Sequence, residues 1–133
     1  MHRCFLLLLA LIPLATAHTM ITLQFNNHTY DVELADSAAA RELLRRLPVT
    51  LQMTDLNANE KYGDLPESLP TRSEAVGSIH AGDLMLFTPT CLVLFYKSFR
   101  TPYHYTRVGR VLHPEKLAAD LGRGEVTITL RAR

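Results

Sequence analysis

Aromatic and basic side chains are concentrated in one segment of the chain, residues 97–107. They are Lys97, Phe99, Tyr103, Tyr105 and Arg107. Aromatic rings beside cations on a loop are typical of surfaces that recognise peptides or other extended ligands. The segment therefore predicts a ligand-binding surface. The alternative interpretation is that Phe99 and Tyr103 fold back over the core as a lid.

A second polar segment, residues 55–64, contains Glu60, Tyr62 and Asp64. A carboxylate here could act as a general base, but catalysis also requires a cleft and a shifted pKa, which no pattern in the segment indicates. Residues 55–59 begin like a calcium loop, yet Glu60 stands where such a loop needs glycine. We expect a structural loop held by Asn and Asp hydrogen bonds, with Glu60 and Tyr62 contributing to the binding surface.

The remaining residues of chemical interest favour structural roles. His80, His104 and His113 have spacings that match no zinc-binding pattern, so neither a metal nor another cofactor is predicted. Cys91 lies in an apolar run, where cysteine commonly packs as a small hydrophobe. A reactive thiol needs exposure and a lowered pKa, and its neighbours in sequence favour neither.

Composition limits the class of partner. The chain has 133 residues, of which 47% are hydrophobic, and its net charge is +1. This is sufficient for a single domain with one core. The basic residues are scattered, and no basic stretch predicts binding to nucleic acid. The oligomeric state is not predicted by any pattern in the chain.

Residues 1–17 have the three parts of a secretory signal peptide: a basic start, an apolar stretch and small residues before a cleavage point. The apolar stretch is shorter than the roughly 20 residues of a spanning helix. The sequence thus predicts a mature domain of residues 18–133 that is periplasmic or secreted and has no membrane anchor after cleavage. The alternative is that translation starts at Met20, which would make the protein cytoplasmic.

The element that organises the domain is a predicted hairpin with two apolar runs, residues 84–87 and 91–96, separated by Thr-Pro-Thr. Strands without polar alternation are covered on both faces, so we expect this hairpin at the centre of the core. Alternating patterns predict further strands at 21–25, 29–34, 49–54, 107–112 and 126–131.

Two short helices complete the prediction. One follows the cap signal Asp36-Ser37 and ends at Pro48, and the other begins at Pro114. Residues 55–70 have no clear period and predict a long loop, with a short strand near 60–62. The pattern favours a mainly β fold, either a closed antiparallel barrel or a sandwich, with helices covering its ends.

Three blocks carry a resemblance to a known family. They are residues 55–67, residues 79–86, and residues 91–99 followed by 105–111. Together they resemble the small bacterial cyclophilin-like proteins, a largely uncharacterised family, over residues 20–131. The resemblance implies a closed cyclophilin-type barrel of about eight antiparallel strands with two short capping helices.

The resemblance does not extend to the motifs of prolyl isomerisation. True cyclophilins have a Phe-His-Arg segment, a following Phe and a Gln-Gly-Gly run, and none of these occurs in this sequence. We therefore expect a module that binds a peptide or small ligand without catalysis. One alternative is a divergent peptidyl-prolyl isomerase that uses Arg107 or Arg100 as the hydrogen-bond donor. Another is a purely structural domain that works with a partner protein.

Overall fold

The computed structural model describes residues 18–133, so the predicted signal peptide lies outside the described residues. None of the helices in that part of the chain combines the length and apolarity needed to cross a membrane. The helices are α1 (Ala38–Arg46), a 3₁₀ turn (Pro114–Lys116) and α2 (Leu117–Leu121). The strands, in chain order, are β1 (Met20–Phe25), β2 (His28–Leu34), β3 (Val49–Leu56), β4 (Glu60–Asp64), β5 (Glu74–Ala75), β6 (Ser78–Ile79), β7 (Asp83–Leu86), β8 (Cys91–Phe95), β9 (Phe99–Arg100), β10 (His104–Val111) and β11 (Val126–Ala132).

Eight of these strands close into a barrel. Their order around it is β2-β1-β11-β3-β4-β8-β7-β10, and a further pairing of β10 with β2 closes the ring. Every one of these pairings is antiparallel. The short β5 extends β10, while β6 and β9 pair with each other. The predicted closed antiparallel barrel is confirmed, and closure leaves few free strand edges.

Local sequence signals account for the first third of the barrel. Asn26 and Asn27 turn between β1 and β2 with φ of 46° and 63°, a backbone that asparagine tolerates. Ser37 caps α1, since its Oγ accepts a hydrogen bond from the Ala40 amide at 3.1 Å. The helix then places Leu43 in the same apolar core as the barrel interior.

The central hairpin is covered on both faces, as predicted. Side chains on its inner face, such as Leu84 and Leu94, belong to the barrel core. Those on its outer face, such as Met85 and Phe95, form a second apolar cluster with Ile79. The outer face is thus covered by the irregular segments before β7 and after β8, which explains why both runs lack polar alternation.

The prediction of a long loop at residues 55–70 is wrong for its first residues, which extend β3, whereas the short strand predicted near 60–62 is confirmed as β4. β3 continues to Leu56, and Asn57 and Ala58 make a tight turn with φ of 55° and 53° into β4. Alanine rarely adopts this backbone, so the sequence gives no turn signal at Ala58. The expected hydrogen bonding is confirmed, because Asp55 Oδ2 accepts from the Ala58 amide at 3.2 Å.

The strand predicted at residues 107–112 also begins earlier. β10 starts at His104, since its first residues pair with β5 through His104–Ala75 and Tyr105–Glu74. This addition makes Tyr105 a strand residue on the outer face of the barrel. The earlier start of β10 matters for the candidate site, because the Tyr105 ring is held by the sheet instead of a loop.

Candidate ligand-binding groove

A groove of about 470 Å³ lies on the outer face of the barrel. Its lining comes from the β3–β4 hairpin, from β8, from β10 and from the segment 99–103. The aromatic residues in the lining are Tyr62, Phe87, Phe99, Tyr103 and Tyr105. Its volume falls in the range of roughly 300–1,000 Å³ that is typical of small-ligand sites. We call this feature the outer groove.

The second apolar cluster holds the rings of the outer groove in place. Phe95 packs edge-on against Phe99 and Tyr105, with ring centroids 5.8 and 5.4 Å apart. Phe95 is fully buried, and it faces outward because β8 alternates between the two faces of the wall. The sheet therefore fixes Tyr105, and through Phe95 it also supports Phe99.

The segment 99–103 forms one side of the outer groove and is tied down by backbone contacts. β9 pairs with β6, and the Thr101 amide donates to the Gly77 carbonyl at 2.9 Å. The Tyr103 amide donates to Thr101 Oγ1 at 3.1 Å. The Tyr103 ring then contacts Phe87 edge-on at 6.1 Å. Phe99 packs against the second apolar cluster, as the lid interpretation expects, whereas Tyr103 is 60% exposed.

Exposed apolar side chains are concentrated in this groove. Across residues 18–133, the large hydrophobic residues that remain exposed are Leu56 (43%), Tyr62 (36%), Phe87 (52%) and Tyr103 (60%). All four line the outer groove. Single exposed hydrophobes need no explanation, but a contiguous group in a concave surface marks an interaction site.

Glu60 is the acidic residue of the groove lining. It is half-buried, and both burial and the nearby Asp55 carboxylate raise the pKa of its carboxyl above the ordinary value. Burial likewise raises the pKa of the Cys91 thiol, and the Asp64 and Glu60 carboxylates add to this effect. The thiol is therefore a poor nucleophile, in line with the structural role expected for it.

The structure brings together most of the residues that the sequence singled out. Glu60, Tyr62, Phe99, Tyr103 and Tyr105 all line the outer groove. Lys97 is exposed and is not part of its lining. Arg107 is also outside it, because its Nε donates to Glu74 Oε1 at 2.6 Å and its side chain borders a different surface depression.

Sequence reasoning missed some of the lining residues. Phe87 was expected inside the central hairpin, yet it is the residue after β7 and points into the groove. Leu56 ends β3 and was assigned to a loop. The only feature of the sequence that could have identified them is their position at the end of a strand. An outward-facing side chain at that point is no longer covered by neighbouring residues.

A second polar cluster lies on the inner side of the same wall. Lys61 is fully buried, and its Nζ donates to the carbonyls of Gly122 and Gly124 at 2.8 and 2.7 Å. It also pairs with Asp55 Oδ1 at 3.0 Å, and the Tyr96 hydroxyl donates to the same oxygen. The Tyr96 hydrogen bond and then Lys61 lower the pKa of Asp55. This cluster has no free position for a ligand, so its role is structural.

The three histidines that the sequence singled out lie on the surface. His80, His104 and His113 are all exposed. In the part of the chain that the structure describes, no group of three or more His, Cys, Asp or Glu side chains is placed to hold a metal ion.

The fold and the groove define a class of protein: a closed antiparallel barrel of eight strands with short helices on its core and a potential binding site on its outer wall. A family model described as "Cyclophilin-like family" matches residues 23–131. The chain therefore belongs to the cyclophilin-like family, and the resemblance seen in the sequence is confirmed.

One solved structure shows the same fold. The chain is similar to the hypothetical protein AF2241 from Archaeoglobus fulgidus, whose solution structure aligns with a TM-score of 0.58 at 16% identity. The alignment covers 87% of this chain and 95% of that one. At this identity the likeness concerns the fold alone. A comparison with curated proteins finds no match.

Proposed function

We propose that the protein is a binding module that takes an extended peptide in the outer groove and does not catalyse prolyl isomerisation. The observation that carries the proposal is the grouping of the four exposed large hydrophobic side chains, Leu56, Tyr62, Phe87 and Tyr103, in one concave surface. Such a surface is unfavourable in water unless a ligand covers it.

The chemistry of the groove lining also suits a peptide. Rigid aromatic rings give a large contact area with little loss of side-chain entropy on binding. Asn57 and Asn59 lie in the same lining, and their amide groups can both donate to and accept from a peptide backbone. This combination of apolar walls and a few polar groups is typical of ligand sites. It argues against a purely structural domain.

The proposal is tested by chemical-shift mapping of the ¹⁵N-labelled protein with short capped peptides that differ in their central residue. We expect shifts at residues 56–62 and 99–105, and a loss of affinity of at least about fivefold in Tyr103→Ala. Tyr30→Phe is a matched control, because Tyr30 lies elsewhere on the barrel and donates its hydroxyl to Asp120. Shifts scattered over the surface, or none, would refute a peptide site in this groove.

A divergent isomerase is the second candidate, and one observation favours keeping it. Arg100 lines the outer groove, whereas Arg107 is engaged by Glu74. A protease-coupled assay with a proline peptide separates the two functions. We expect no acceleration above the uncatalysed rate. Acceleration that disappears in Arg100→Ala but survives in Arg110→Ala would assign the isomerase function instead.

A further inference from the structure

Glu60 occupies an unusual position for a carboxylate. On the outer face of β4 its cross-strand neighbours are Leu56 on β3 and Phe95 on β8, both apolar. It lines the outer groove together with Tyr62 and Tyr105. A negative charge thus lies against hydrocarbon and aromatic rings, where water solvates it poorly.

No group in the described part of the chain compensates this charge. Neither a hydrogen bond nor a positive side chain acts on the Glu60 carboxyl, and the charge that does reach it is the negative one of Asp55. Arg100 lines the same groove but makes no ion pair with Glu60. A half-buried carboxylate without a partner destabilises the free protein, and a bound cation would remove that penalty.

We infer that the outer groove binds the positively charged side chain of a lysine or arginine in an extended peptide, with the cation between the Glu60 carboxylate and the aromatic rings. This inference rests on the proposed function and names its ligand. Rings within about 6 Å attract a cation through their negative faces, and a desolvated carboxylate strengthens its binding. Charge complementarity thus selects a basic peptide over a neutral or acidic one.

The test compares two capped peptides, acetyl-Ala-Ala-Lys-Ala-Ala-amide and the same peptide with norleucine in place of lysine. Norleucine keeps the hydrocarbon chain and lacks the charge. We expect the lysine peptide to bind the full-length protein at least about tenfold more tightly, measured by chemical-shift titration. In Glu60→Gln this preference should vanish, while the affinity for the norleucine peptide stays the same.

Asp64→Asn is the matched control. Asp64 is on the same strand and face as Glu60 but outside the groove lining, and it accepts a hydrogen bond from Thr90 at 3.4 Å. The preference for lysine should persist in this variant. Thermal unfolding of each variant confirms that it is folded, which we expect because Glu60→Gln changes charge with almost no change in volume.

The outcomes separate the two proposals. Equal binding of the lysine and norleucine peptides would overturn the cation inference and leave the peptide site intact. Binding of neither peptide would overturn the proposed function itself. If the same peptide with glutamate in place of lysine binds most tightly, the charge that selects the ligand is that of Arg100, and the role of Glu60 is refuted. If n-butylamine binds as tightly as the lysine peptide, the groove takes small amines and the commitment to a peptide is wrong.

The pH dependence provides a second readout. The ionisable groups around Glu60 are Asp55 from β3, Arg100 from β9, Cys91 from β8, Tyr96 directly after β8, and Tyr105 from β10. Cys91, Tyr96 and Tyr105 have raised pKa values and stay neutral in acid, so Glu60 is the group of this set that changes charge first as the pH falls. The lysine preference of the wild type should decline as the pH falls, already above pH 4.5, the ordinary Glu60 pKa, whereas Glu60→Gln should show no preference at any pH. A preference independent of pH would contradict the inference.

Discussion

Glu60 and Lys61 are consecutive residues of β4 that face opposite sides of the barrel wall. Lys61 points inward, is fully buried, and has two carbonyls and a carboxylate around its ammonium group. Glu60 points outward into the outer groove, and within residues 18–133 neither a hydrogen bond nor a positive charge acts on its carboxyl. The more deeply buried charge is thus the one with more partners.

The difference in partners between Lys61 and Glu60 indicates a structural role for the first residue and a different role for the second. A charge in the interior persists only when its partners replace the lost water, and the partners of Lys61 join the β3–β4 hairpin to the turn before β11. A charge that is partly desolvated and left alone has no structural benefit. Under the proposed function, a cationic ligand would offset the cost of this unpaired charge.

The largest expected effect comes from a lysine placed inside the barrel without those partners. Leu92 is fully buried on β8 and pairs with Gly63 of β4, two residues along from Lys61. We expect Leu92→Lys to lower the free energy of unfolding by at least about 4 kcal/mol. Urea denaturation followed by circular dichroism measures it, with Leu92→Met as the volume-conserving control. A urea midpoint like that of the wild type would show that the barrel interior tolerates a lysine without contacts such as those of Lys61.

Removing the interior charge itself should have the next largest effect. Lys61→Met leaves the Gly122 and Gly124 carbonyls without their donor and Asp55 without its cation. We expect a loss of about 3 kcal/mol, near the low end for breaking a buried pair, because Asp55 keeps its Tyr96 hydrogen bond and some solvent. Lys97→Met, at an exposed lysine, should change stability by less than about 0.5 kcal/mol.

Measurements at acid pH give a sharper test of the Lys61→Met prediction. The folded-state pKa of Asp55 is lowered, so its stabilising contribution is present above its ordinary pKa of 3.8 and is lost as the pH falls through the lower, folded value. Lys61 is one cause of that lowering. The difference in stability between wild type and Lys61→Met should therefore narrow below pH 3.8. A difference that stays constant into acid would mean that the Lys61–Asp55 pair contributes little.

The fold could be predicted from sequence because its signals are local or periodic. Alternation gave β1, β2 and β11, and the uninterrupted apolar runs gave the central hairpin with both faces covered. The β3–β4 turn could not be predicted, since Ala58 adopts a positive φ that its side chain does not favour. The burial of Lys61 could not be predicted either, because the carbonyls that accept from it lie about sixty residues away in the chain.

The candidate site was predictable in part for the same reason. Its aromatic residues cluster in one segment, so Phe99, Tyr103 and Tyr105 were identified directly. Whether a nearby cation shares their surface depends on its position along the strand and on its partners, since residues two apart share one face. Arg107 is two residues beyond Tyr105 on β10, but it is exposed and paired with Glu74. Phe87 was overlooked because the last residue of an apolar run is usually assumed to be buried.

On the outer face of the barrel, removing the negative charge of Glu60 should stabilise the free protein. The raised pKa of Glu60 means that its favourable contribution is present below the ordinary value of 4.5 and is lost as the pH rises through the folded-state value. Glu60→Gln should thus match the wild type in acid and exceed it near neutrality. The gain should be below about 1 kcal/mol, because solvent screens a half-exposed group.

Thermal and urea unfolding across pH measure this gain. Glu67→Gln is the control, since Glu67 is an exposed loop residue and should show no change beyond about 0.5 kcal/mol. A Glu60→Gln protein that is less stable than the wild type at neutral pH would mean that the carboxylate already has a partner, and the contrast with Lys61 would disappear.

The smallest expected effect concerns the Cys91 thiol, which reports the electrostatics of the groove without altering the fold. Its pKa is raised above 9.0 by burial, and the Asp64 and Glu60 carboxylates add to the shift.

In a Cys4→Ser background, Cys91 is the single thiol, and its alkylation by iodoacetamide near pH 8 should be slower than that of a free thiol. Glu60→Gln should accelerate it about twofold, because removing the Glu60 carboxylate lowers the pKa of the thiol. Lys61→Met, on the other side of the wall, should leave the rate unchanged under conditions where the variant is folded. Equal acceleration by both substitutions would show that the two faces are not electrostatically separate.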